Sequence, residues 1–239
     1  PHLSADMVGT VKVKEVLKEG RYDKTTNQIS KIVFDKFKEI YDKGDKKGEF
    51  ILTVGPDDED IINNQFEFDL MGALEITDDE YFVDGGANSG YDDDGEEITP
   101  LLSVKFKIPK NPDLLDWQKI SFDIKDVVRH ELEHLTQDGL NVKGGVVSDN
   151  PKLARPSKQM SDDKIVRNSI DIGLLPAADY FLLEKEIDAM LQGLYFKAKK
   201  SKRPFKDVIN DYLNIFINNG KITSEEKEEI LNLWRKRNK

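Results

Sequence analysis

The chain has 239 residues, of which 38% are hydrophobic and 34% charged, with a net charge of −10 and no cysteine. This excludes disulfides and thiolate metal ligands, fits a soluble globular protein with one substantial core, and leaves no apolar run near the ~20 residues of a membrane span. From Met190 onward there are 12 Lys and Arg against 6 Asp and Glu, and before it 24 against 40. An acidic body that repels phosphate backbones therefore precedes a basic tail, read as a solvated helical surface, and nucleic acid is not the expected partner.

In chain order, residues 1–23 contain VKVKEVLKEG, which fits a strand or a helix equally well. From Thr25 to Lys43 the residues Ile29, Ile32, Val33, Phe37, Ile40 and Tyr41 recur at helical spacing, and Gly44 supplies a stop. Phe50, Leu52 and Val54 then alternate, as do Phe66, Phe68, Leu70, Leu74 and Ile76, so both runs read as strands with one buried face. Gly72 interrupts the second run and suggests a bulge or bend. An acidic turn, PDDEDIINN, joins them.

After Tyr81–Val83, the stretch Asp84–Glu97 reads as a loop because of its glycines and acids. It fails as an EF-hand: with Gly95 in the sixth position, Gly90 stands first and Leu101 twelfth. Leu102, Val104, Phe106 and Ile108 alternate with Ser103, Lys105 and Lys107 until Pro109. The lysines suggest an edge strand, one suited to pairing with an extended peptide.

Val127–Gln137, VVRHELEHLTQ, carries the chemistry. Positions four apart on an α-helix lie almost above one another, so His130 and His134 can reach one small cation from the same face. Glu131 is displaced around the helix, where its carboxylate suits a general base better than a ligand. Val127, Val128, Leu132 and Leu135 supply an apolar flank, with Asp123 or Asp126 placed to favour the positive helix N-terminus. The chain has three histidines, and the remaining one is His2. A third ligand is therefore expected to be a carboxylate, since no histidine follows His134 and the position three after it is Gln137.

Asp138–Ala178 shows little periodicity and reads as a long loop, a possible lid. Three helices follow: Tyr180–Lys200, about Pro204 to Asn218, and one from about Thr223, where Thr223 and Glu226 form a capping box. A helix-turn-helix is disfavoured because the apolar stripes of the last two need burial. Glu184, Glu186 and Asp188 lie on the first of these helices. Glu186, or as the alternative Glu184, can be the third ligand, with Asp188 orienting a histidine N–H; Glu184 and Asp188 share a face, so a scheme built on that pair is a coherent rival.

HELEH followed by a second helix with EIDA resembles the gluzincin class of zinc metallopeptidases, especially compact forms such as the minigluzincins and the catalytic domain of anthrax lethal factor. HELEHLTQ, YFLLEKEIDA and GLYFKAKKSKRPF, over roughly 127–205, are also similar to peptidase-like proteins of tailed bacteriophages. Glu133 departs from the family pattern, which favours an uncharged residue there. The resemblance implies an α+β, zincin-like fold with a small, mostly antiparallel sheet, an HExxH helix and a C-terminal helical part. It also implies one Zn²⁺ per chain on His130, His134 and Glu186, with Glu131 as base and Tyr180 stabilising the oxyanion, as a tyrosine shortly before the Glu ligand does in some compact gluzincins.

The expectation is one domain over 1–239, with helix and sheet in 1–123 and the active-site helix, long loop and terminal helices in 124–239. It would hydrolyse a protein or peptide substrate in the cytoplasm, or in a host cell or virion if viral. The alternatives are a non-catalytic, zinc-peptidase-like binding or structural protein and a toxin-like protease acting on one partner.

Overall fold

A computed structural model of the protein describes residues 23–55, 68–78, 80–88, 99–110, 116–137, 165–170 and 172–237. The expectations for 1–22, the PDDEDIINN turn, Phe66, most of the tested calcium loop and 138–164 fall outside these residues. Among the described residues the architecture is α+β.

Helix α1 (Asp23–Lys43) buries Ile29, Val33 and Phe37 along one stripe, and Gly44 ends it with a positive φ of 76° that a side chain would strain. Strands β1 (Lys47–Val54), β2 (Phe68–Thr77), β3 (Phe82–Asn88) and β4 (Leu101–Pro109) form a four-stranded sheet in the order β1-β2-β4-β3. The β1–β2 and β3–β4 pairs are antiparallel, and β2–β4 is parallel.

Register puts Leu70 beside Leu102, Leu74 beside Phe106 and Ile76 beside Ile108. Their shared parity makes one apolar face. That face packs in a single core with α1 and with Ile120, Ile124, Val128, Leu132 and Leu135 of α2 (Trp117–Gln137).

Three expectations about the sheet are corrected. Gly72 makes no bulge, because it stays in register between Phe50 and Val104. It is glycine because a Cβ would lie 2.1 Å from the Phe50 ring. β4 is not an edge, since it is hydrogen-bonded to β2 and β3. Lys105 and Lys107 mark the sheet's open face, and Lys107 pairs with Glu80 at 3.2 Å; alternating charge reports a wet face, which an interior strand can also have. Among the described residues the edges are β1 and β3, and β3 runs through the expected loop from Asp84 to Asn88. Its glycines permit close backbone approach: a Cβ on Gly85 would lie 2.5 Å from both Val127 Cγ1 and Glu131 Oε1.

α2 begins earlier than the motif suggests, at Trp117, with Asp116 Oδ1 accepting from the Gln118 and Lys119 amides at 2.9 and 3.1 Å. Asp116 therefore caps the helix. Asp123 and Asp126 lie in its interior, and their charge is met by tertiary partners: Lys197 Nζ reaches Asp123 at 2.6 Å and Asp126 at 3.5 Å, while Tyr81 donates to Asp123 at 2.6 Å. The helix also crosses the 123/124 division expected between the two parts.

The expected single helix over Tyr180–Lys200 is two elements. A 3-10 helix covers Ala177–Leu182, Leu183 is extended, and α3 runs Glu184–Ser201. The periodicity continues across Leu183 although the backbone does not, because Phe181 and Ile187 are both buried in one core. α4 (Phe205–Asn218) and α5 (Ser224–Arg237) complete that second core with Val208, Leu213, Ile230 and Trp234. Trp234 Nε1 donates to the Phe181 carbonyl at 2.9 Å. The capping box is present: Thr223 N donates to Glu226 Oε2 at 2.6 Å, and Glu226 N to Thr223 Oγ1 at 3.1 Å.

α2 and α3 are antiparallel neighbours that join the two cores. Gly193 lets them pack closely: a Cβ there would lie 2.6 Å from Asp126 Oδ1, 2.9 Å from the Asp126 carbonyl oxygen and 3.4 Å from His130 Cβ. Arg129 is buried in the same seam, donating to Gln192 Oε1 at 2.8 Å and to Glu133 Oε2 at 2.9 Å. Gly193→Leu is expected to wedge the helices apart and destabilise the protein by about 1–3 kcal/mol, the usual cost of overpacking. Urea denaturation checks it, and an unchanged midpoint would show that the seam tolerates a side chain.

Candidate metal centre

At the other end of this seam, α2 contributes His130 and His134 and the first turn of α3 contributes Glu186. One ligand atom from each lies within 4.8 Å of the others. His130 Nε2 is 3.0 Å from His134 Nε2 and 3.6 Å from Glu186 Oε2, and His134 Nε2 is 3.3 Å from Glu186 Oε1. A tetrahedral ion with bonds of ~2.0–2.1 Å separates its ligand atoms by about 3.3 Å. The donor spacing therefore suits a small divalent cation.

Two further observations bear on the fit. Glu186 is 0% exposed, yet among the described residues its Oε2 has no hydrogen-bond donor; a buried carboxylate oxygen is seldom left so unless something else binds it. The donor set, two imidazoles and a carboxylate, is also one that zinc accepts. The group can thus hold a metal ion.

The electrostatics follow from burial and proximity. Burial alone would raise the Glu186 pKa, but contacts from His130 and His134 outweigh it and hold the carboxyl well below the usual range. Its place in the first turn of α3 adds the favourable field of a helix N-terminus. Burial pushes Glu131 up. For His130, burial favours the neutral ring, but Glu186, Glu131 and Asp126 together outweigh it and the pKa is raised.

Glu131 is buried beside the group, its Oε1 4.0 Å from His130 Nε2. It is not one of the three clustered donors. Between the two glutamates considered for the third position, the structure brings Glu186 to the histidines; Glu184 is exposed at the start of α3, outside the cluster. Asp188 is half-buried two residues beyond Glu186, about 200° further around the helix. Tyr180, on the 3-10 helix, faces Glu186, and burial followed by that carboxylate's charge drives its pKa well up, so the phenol keeps its proton.

Asp126, expected from sequence to favour the helix N-terminus, lies half-buried one turn before His130, where its charge helps to raise the pKa of that ring. Three residues of this region were not singled out from sequence. Gly85 and Gly193 set the approach of β3 and α3 to α2. Arg167, in a helical stretch at 165–170, places its guanidinium on Glu186 Oε1 and lies 5.9 Å from the centre of the Tyr180 ring. Glu133, the departure from the family pattern, is met by buried Arg129. Only the α3 positions had a readable signal: Glu186, Gly193 and Lys197 recur at i, i+7 and i+11, one helical face.

Compared with known proteins, the chain matches no family model, no curated protein and no solved structure. Among the described residues no helix is long and apolar enough to cross a membrane.

Proposed function

We propose that the chain is a zinc-dependent metallopeptidase of gluzincin type, with a zincin-like fold. One observation carries the reading: His130, His134 and Glu186 converge at ligand spacing while Glu131, a buried acid outside the donor set, stands 4.0 Å from His130. His130, His134 and Glu186 would hold the ion. When bound, zinc supplies Lewis acidity and lowers the pKa of water at the site.

The remaining work falls to the chain's own residues. Glu131 takes a proton from the attacking water at its carboxylate and returns it to the leaving amine. Its upward-shifted pKa suits this exchange, because a base works best when its pKa is near the working pH. Tyr180, protonated, donates a hydrogen bond to the carbonyl oxygen as negative charge develops there. Among the described residues β3 pairs with β4 on one side, and its other side, which runs past Glu131 at Gly85, suits the backbone of an extended peptide. The peptide-pairing role expected of β4 thus passes to β3.

The test is metal content by plasma mass spectrometry together with hydrolysis of a mixed fluorogenic peptide library. About one zinc per chain is expected, with hydrolysis lost on chelation and restored by zinc. Zinc bound at that ratio without turnover on any peptide or protein substrate would move the reading to a zinc-binding protein that uses this scaffold for recognition.

A further inference from the structure

We infer that Arg167 is a positioning residue of the metal centre: its guanidinium on Oε1 of Glu186 fixes the rotation of the carboxylate, so that Oε1 stays beside His134 and Oε2 beside His130. This deepens the metal-site reading and rests on it.

Three contacts carry the inference. Glu186 is enclosed, with His130, His134 and Arg167 against its carboxylate and Tyr180 and Glu131 close enough to feel its charge. Arg167 Nη2 contacts Oε1 and not Oε2. Oε2 lies 3.6 Å from His130 Nε2 and has no hydrogen-bond donor among the described residues. The two oxygens thus have different surroundings: Oε1 is held by the guanidinium and lies 3.3 Å from His134 Nε2, whereas Oε2 faces His130.

The chemistry favours such a division. A carboxylate free to rotate can present one oxygen or both to a metal, and a guanidinium on one oxygen removes that freedom before the metal arrives. Partners that orient a ligand in this way commonly contribute about 10–100-fold to metal affinity. Arginine suits the task because it stays charged and its planar donors keep a fixed direction.

The place of Arg167 also makes the idea testable. Its side chain is 44% exposed, and Ile165 in the same stretch is 61% exposed. Removing the guanidinium therefore opens no core cavity.

The experiment is a zinc titration against a chromophoric chelator for the wild type, Arg167→Met and Arg167→Lys, with the melting temperature of each metal-free protein measured alongside. Arg167→Met is expected to bind zinc about 10–100-fold more weakly with little change in the metal-free melting temperature, and Arg167→Lys to recover part of the loss. Loading with cobalt gives a second readout, since a Glu186 released to bind through both oxygens changes the visible absorption of the ion. Unchanged zinc affinity in Arg167→Met would overturn the positioning role. Tighter binding would overturn it in favour of a guanidinium that competes with the ion. If the wild type itself binds no zinc, the metal centre and this inference fall together, and that result is distinct from the other two.

Discussion

Glu131→Gln is expected to keep about one zinc per chain while lowering peptide hydrolysis by roughly 10²–10⁴-fold, the usual contribution of a general base. The substitution is nearly isosteric, so the contact with the backbone of β3 at Gly85 persists, but an amide cannot accept and return a proton. Metal retention follows because Glu131 is outside the cluster of His130, His134 and Glu186. Plasma mass spectrometry and a fluorogenic peptide assay on the same preparation separate the two effects. Full activity in Glu131→Gln would remove the base from the mechanism, whereas loss of the metal would place Glu131 among the ligands.

The second large effect is expected at Glu186. Glu186→Gln keeps the shape of the side chain and removes the charge that the two imidazoles and Arg167 surround. Zinc content should fall to background, and His134→Ala should behave alike. In the wild type, zinc at about 100 times its dissociation constant adds ~2.7 kcal/mol of stability. For a domain of this size that raises the melting temperature by about 5–10 °C. Neither variant should show this zinc-dependent rise in differential scanning calorimetry, although both should still melt cooperatively. A full rise in Glu186→Gln would exclude Glu186 as a ligand and return attention to Glu184.

What could be read from the chain was whatever depends on neighbours within about one helical turn or one strand step. His130 and His134 share a face because of helix geometry alone. The parity of Phe68, Leu70 and Leu74 marks a buried sheet face because side chains alternate along a strand. Thr223 and Glu226 meet across three residues of one helix start. The same local signals misled where one pattern has two causes. Lysine alternation on β4 came from a wet face, and the glycines of β3 answered a close packing against α2.

The sequence by itself determined the motif: two imidazoles on one face, an acid beside them, no cysteine to compete, and a carboxylate needed from elsewhere. Tertiary structure decided which carboxylate arrives, because Glu184 and Glu186 differ by about 200° around α3 and the rotation of that helix is set by Gly193 against Asp126 and by Lys197 against Asp123. It also decided that β3 is the edge beside Glu131 and that Arg167 reaches Glu186. These contacts join residues dozens of positions apart, and their geometry depends on how whole elements pack, which no short-range periodicity encodes.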